Sequence, residues 1–167
     1  MNKALVPSNL NMADVTFSKS AGILDAYGLK IPVANNVRLN KDGTGPRSSP
    51  DQIPYMPQGF PLGQWKITGV FPRTVTDLAP FFISTNAWQM VPEWTVDLRG
   101  KFISSTGRWV HDAAYGIHFS ILDFTWGCIR VINRSDLEWL ATKIQDELDE
   151  LRKLNPAQAW VSMEAVA

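Results

Sequence analysis

The sequence predicts a mostly β domain, α+β in class, with one substantial C-terminal helix. Short runs that alternate apolar and polar residues stand between glycines and prolines over most of the chain, and one long helical repeat follows them. The composition agrees: 167 residues, 45% hydrophobic and 19% charged, with 11 Gly and 11 Pro. That length is one domain with room for a proper core.

Residues 1–13 read as an N-terminal extension and residues 14–167 as the domain. Val15-Thr16-Phe17, Gly22 to Tyr27 and Leu29 to Val33 form the first strand-like runs, punctuated by Gly22 and Gly28. Lys41 to Pro46 and Arg47 to Pro50 are polar and turn-rich, which predicts a surface loop. Pro54, Pro57 and Pro61 fix an extended approach to Gln64 to Phe71, where Trp65, Ile67 and Gly69 alternate with Gln64, Lys66 and Thr68. Phe81 to Ile83, Trp94 to Leu98, Lys101 to Ser105 and Trp109 to His111 follow as strands, with Gly100 and Gly107 as bounds.

The helix has a start signal, a stripe and a stop. Ser135-Asp136-Leu137-Glu138 predicts a capping box. Leu137, Leu140, Ala141, Ile144, Leu148 and Leu151 recur at helical spacing and predict a face packed on a sheet. Asp149 and Lys153 are spaced to pair one turn apart, and Asn155-Pro156 ends the helix. Trp160 to Val166 returns as a last strand. Seven Trp are expected mainly in the core, with Trp126 set apart as a candidate substrate wall.

Charge narrows the function. Sixteen basic and sixteen acidic residues balance, so there is no electrostatic footprint for nucleic acid or an anionic membrane. The start lacks the apolar run of a secretory signal, and no segment approaches a membrane-spanning length. The chain is expected to be made in the cytoplasm. No metal or cofactor is implied, because His, Cys, Asp and Glu do not cluster and no glycine-rich loop opens a helix.

Thiol chemistry can come only from Cys128, the single cysteine, with His118 or His111, the two histidines. In Tyr115 to Ser120 the alternation puts Gly116, His118 and Ser120 on one strand face, and Tyr115, Ile117 and Phe119 on the other. A reversal centred on Asp123 is expected to set His118 opposite Cys128, with Cβ atoms about 5 Å apart. Gly127 permits close backbone approach, and amides near it are expected to hold an oxyanion. By default a lone cysteine is a small buried hydrophobe and a lone histidine a satisfied core residue.

The motif tips that balance. Tyr115-Gly116-Ile117-His118, then Thr125-Trp126-Gly127-Cys128-Ile129-Arg130, resembles the signature of the L,D-transpeptidase (YkuD-type) catalytic domain. In that family a His precedes a Ser/Thr-x-Gly-Cys-Ile-Arg element and a helix follows. Pro61-Leu62-Gly63-Gln64-Trp65-Lys66-Ile67 is similar to the family's Pro-x-Gly-x-aromatic-x-Ile strand start, and Asn133 matches a polar position after the Cys element. The resemblance covers residues 14–166 and implies a β-sandwich or barrel. His118 is followed by Phe119 where the family has Gly or Ser, and Trp126 stands where many members have a second His. The His-to-Cys segment is shorter than in wall-building members.

The resemblance implies Cys128 as nucleophile and His118 as its base, acting on tetrapeptide stems of peptidoglycan through a thioester. Water then gives an L,D-carboxypeptidase product, and an amine gives exchange or a cross-link. Arg130 is expected either to anchor a substrate carboxylate or to brace the Cys loop through an ion pair. Thr125 supports that loop or meets substrate, Ser120 orients the imidazole or is solvated, and His111 with Asp112 stays secondary. The compact, signal-less form is similar to effectors delivered by type VI secretion. That implies action in the periplasm of a target bacterium, an immunity protein and a secretion-machine component. A phage or housekeeping transpeptidase, a non-catalytic wall-binding module and another thiol peptidase or amidase are the alternatives.

Overall fold

The computed structural model describes residues 13–48, 52–74 and 80–167. The expected extension thus falls almost wholly outside the described residues, as do residues 49 and 50 of the polar loop. Among the described residues ten strands and one α-helix form: β1 (Val15–Ser18), β2 (Ile23–Ala26), β3 (Leu29–Ala34), β4 (Gly63–Pro72), β5 (Phe81–Thr85), β6 (Gln89–Val96), β7 (Phe102–Asp112), β8 (Gly116–Phe119), β9 (Ile129–Val131), α1 (Arg134–Leu154) and β10 (Val161–Val166). Eight strands close into a barrel in the order β1-β10-β4-β5-β8-β9-β3-β2, while β6 and β7 pair as a separate ribbon.

The barrel draws the two ends of the domain together, since β10 lies parallel to β1 and antiparallel to β4. Strict alternation of buried with half-buried side chains along β10 is the two-residue period the sequence carries. One continuous core runs from Phe17, Leu24 and Ile31 through Ile67, Ile83, Ile117 and Ile129 to α1. Leu137, Leu140, Ala141, Ile144 and Leu148 are the buried stripe of the helix, which packs against β4, β5, β8, β9 and β10. Each of the large ones contributes about 1.5–3 kcal/mol when fully buried.

Several local expectations are corrected. The helix is capped at Asn133 with no side-chain cap bond, so Ser135 lies inside the first turn rather than before it. Glu138 is taken by Arg134 at 3.0 Å, one turn earlier, which leaves no reciprocal box. Asp149 pairs with Arg152 and Lys153 with Glu150, so the expected Asp149–Lys153 pair is replaced by two at i,i+3. Gly107, at φ +78°, does not end a strand. It sits in a stretch of shifted register within the single long β7, on which Lys101 to Ser105 and Trp109 to His111 are joined. The core holds fewer tryptophans than expected: Trp65 and Trp139 pack on it, whereas Trp88, Trp109, Trp126 and Trp160 are exposed.

The largest correction concerns the segment after His118. β8 and β9 are parallel, with Ile117 beside Ile129, His118 beside Arg130 and Phe119 beside Val131. The chain makes no hairpin at Asp123. Residues 120–128 instead travel back along the sheet, tied to the residues after β3 on the way. Thr125 N donates to Asn36 O at 2.9 Å, and Arg38 pairs with Asp123. A parallel neighbour demands this return path, which an antiparallel one does not.

Candidate active site

Register determines which side chains share a face. Phe82 on β5, His118 on β8, Arg130 on β9 and Ala34 on β3 form one row across four strands. The next row holds Ser84 and Gly116, and continuing the β8–β9 register sets Cys128 beside Gly116. Cys128 and His118 are therefore diagonal neighbours on one face. Their backbones are roughly 8 Å apart, from two steps of 3.3 Å along the strand and a 4.8 Å strand spacing. The shared face was expected, but the directly opposed pairing was not formed.

His118 is 6% exposed and stacks on the Phe82 ring, with centroids 6.1 Å apart. Its Nδ1 lies 2.9 Å from the Phe119 carbonyl oxygen. A carbonyl can only accept, so Nδ1 carries a hydrogen. Gly116 is glycine for a steric reason: a Cβ there would lie 2.4 Å from the Phe82 ring and 2.5 Å from Ile83 O.

The Cys128 loop is braced by two side chains. Asn35 Nδ2 donates to Gly127 O and to Cys128 O, each at 2.8 Å, while its Oδ1 accepts from Phe60 N at 2.8 Å. Thr125 Oγ1 donates to Cys128 O at 2.8 Å and accepts from Gly127 N at 3.3 Å. Thr125 is buried, which makes it a loop brace rather than a substrate contact. The Gly127 amide is also turned toward Thr125, away from the oxyanion role expected of it. Gly127 has φ +134°, and the Tyr115 ring and Gln58 O fill the space a side chain would need.

The sulfur is half-buried and lies 4.0 Å from Ala114 O, in range of a weak S–H···O contact. Burial pushes the thiol pKa up to about 11, the Gly116 amide that donates to sulfur opposes this, and the negative charge of Asp112 adds to it. At rest Cys128 is a thiol, and a base or a bound ligand must turn it into thiolate.

A cavity of about 290 Å³ opens at Cys128, with Trp126, Tyr115, Tyr55, Asp112, Ala113, Ala114 and Arg47 as its walls. Trp126 is 42% exposed and stands where a substrate wall was expected. His118 and Arg130 do not line this cavity, but occupy the adjoining row of the same face. Two larger hollows, of about 520 and 660 Å³, lie beside Trp160 and Arg38, and neither is lined by a cysteine or histidine among the described residues.

The remaining expected residues fall as follows. Arg130 makes no ion pair among the described residues, and its Nε is buried without a hydrogen-bond partner. The structural ion pair weighed for it is not formed. Ser120 is 3% exposed, and its hydroxyl accepts from Leu122 N at 3.0 Å, which holds the turn after β8. It is not a solvated hydroxyl. His111 is exposed and stacks on Trp88, with centroids 5.1 Å apart.

Asp112, noticed in sequence only as a neighbour of His111, is the residue of that pair that reaches the Cys128 cavity. It is 5% exposed and accepts the hydroxyl hydrogen of Tyr115, with the Tyr55 hydroxyl beside it favouring the same carboxylate. Burial holds its carboxyl above the usual carboxylate range despite those donors. Gln89 Nε2 fixes the other end by donating to Tyr115 Oη at 2.8 Å. Asn35, Tyr55 and Arg47 were also missed. Each comes from a segment with no periodic pattern, so only the fold brings it to the motif.

No family model matches this chain, and no curated protein or solved structure does.

Proposed function

We propose that the chain is a cysteine enzyme of peptidoglycan, acting as an L,D-carboxypeptidase or L,D-transpeptidase on tetrapeptide stems. The observation that carries the reading is a half-buried thiol at a cavity wall, on the same sheet face as a histidine whose Nδ1–H is fixed by a backbone carbonyl. Lying beside Ile129 and next to Gly127, that thiol sits within the Thr-x-Gly-Cys-Ile-Arg element that resembles the family signature.

In the proposed reaction His118 Nε2 takes the Cys128 proton and the sulfur attacks the carbonyl after the L-centre of the diamino acid. The bond to D-alanine breaks, and D-alanine leaves with the proton from His118. Cys128's own amide is the donor assigned to the oxyanion, since that of Gly127 bonds Thr125. Water or an amine then opens the thioester. The short connection between His118 and Cys128, tied down by Arg38 and Asn36, supports a compact effector form rather than a wall-building one.

The test is release of D-alanine from a synthetic tetrapeptide stem. Release by the native chain, none by Cys128→Ala, and no cleavage of an all-L peptide support the reading. Cleavage of the all-L peptide alone moves the chain to the ordinary peptidases. Expression directed to the periplasm of a susceptible bacterium tests the effector setting, where growth arrest there but not from the cytoplasm is expected. Equal effects in both compartments contradict it.

A further inference from the structure

Two opposite charges border the Cys128 cavity, and neither has an ion-pair partner among the described residues. Asp112 is 5% exposed, yet the hydroxyls beside it, those of Tyr55 and Tyr115, are neutral. Arg47 lies on the exposed side, where its guanidinium reaches only the Gln52 carbonyl at 3.4 Å. Neither side chain makes an ion pair among the described residues, with each other or with a third group. A buried carboxylate held by neutral donors alone keeps an uncompensated charge, which a bound cation relieves.

We propose that the cavity takes a ligand end carrying both an ammonium and a carboxylate, with Asp112 receiving the ammonium beside Cys128 and Arg47 the carboxylate. This rests on the stem-peptide reading and assigns the third stem residue's side-chain terminus to the cavity. It also couples recognition to chemistry. Burial holds the thiol in its protonated form and the Asp112 charge adds to that, so an ammonium at Asp112 cancels the added field and releases the proton more readily. The other titratable groups around this pair are Tyr55 and Tyr115, which stay neutral, and His111, which neighbours Asp112 on the exposed side of β7. A ligand lacking the ammonium leaves the thiol in its resting state. Asp112 and Arg47 are thus positioning and specificity residues rather than nucleophile or base.

Two measurements test this. The first is the pH profile of Cys128 alkylation by iodoacetamide, which needs no peptide. Asp112→Asn should alkylate roughly threefold or more faster at pH 8, because thiolate is the reactive form. An unchanged profile in folded Asp112→Asn overturns the coupling. The second is calorimetric binding to Cys128→Ala of three stems whose third residue is meso-diaminopimelate, lysine or norleucine. Affinity should fall in that order. Arg47→Gln, at an exposed position, should erase the gap between the first two, and Asp112→Asn the gap between the last two. Equal affinities for all three overturn the proposal while leaving stem-peptide chemistry standing. Graded binding with no D-alanine release by the native chain sinks only the proposed reaction. No binding of any stem overturns both.

Discussion

Gly127 lies so close to the Tyr115 ring that a Cβ at this position would stand 2.5 Å from ring carbon Cε1, with Gln58 O 2.9 Å away. Its φ of +134° is one that L side chains rarely adopt. Gly127→Ala must therefore move either the ring or the loop that carries the thiol. The expected result is a stability loss of about 1–3 kcal/mol by thermal unfolding, together with loss of thioester formation. Native-like activity in Gly127→Ala would show that the loop's position is not what makes Cys128 reactive.

Asn35 joins three backbone groups: the carbonyls of Gly127 and Cys128 and the amide of Phe60. Asn35→Asp keeps the acceptor and the shape but cannot donate to the two carbonyls. It should cost about 1–3 kcal/mol in denaturant unfolding and slow D-alanine release, with Asn35→Ala at least as damaging.

The two histidines separate cleanly in the structure, one buried in the row beside Cys128 and one exposed on Trp88. His118→Ala should lose about 10²–10⁴-fold in D-alanine release near neutral pH, whereas His111→Ala should lose far less. Because burial lifts the thiol to about 11, the His118→Ala rate should keep climbing with pH up to that range. A His111→Ala variant that is dead while His118→Ala stays active assigns the base to the wrong residue.

Asp112 carries a pH signature of its own. Burial raises its folded pKa above the unfolded value, so the proton is held more tightly in the native state. That contribution is fully present below the unfolded carboxyl pKa of about 3.9 and is lost as pH rises through the folded value. Asp112→Asn mimics the protonated acid and can still accept from Tyr115. It should melt above the native chain at pH 7, with a difference that shrinks toward pH 4 in scanning calorimetry. A difference that grows on acidification contradicts the assignment.

Much of the strand and helix pattern was legible because it is local. The alternation at Trp65, Ile67 and Gly69 and the stripe from Leu137 to Leu148 each carry their own period, and the structure places them on β4 and α1. What failed was pairing. Nothing between His118 and Cys128 distinguishes a reversal from a return crossover, since the deciding contacts come from Asn36 and Arg38, some 85 residues earlier. The helix start failed for a related reason, as Arg134 competes for Glu138. At the site, Cys128, His118, Gly127 and Trp126 were readable from the motif, whereas Asp112, Arg47, Tyr55 and Asn35 enter only through the barrel and ribbon. A carboxylate without an ion-pair partner among the described residues, such as Asp112, leaves no trace in sequence at all.

The central claim is a thioester on Cys128, and its direct test is intact-protein mass after rapid acid quench with a tetrapeptide stem. The account predicts an added mass equal to the stem minus D-alanine, mapped by digestion to Cys128 and absent from Cys128→Ala. Stem cleavage that proceeds with no such adduct, or that survives in Cys128→Ala, would contradict it.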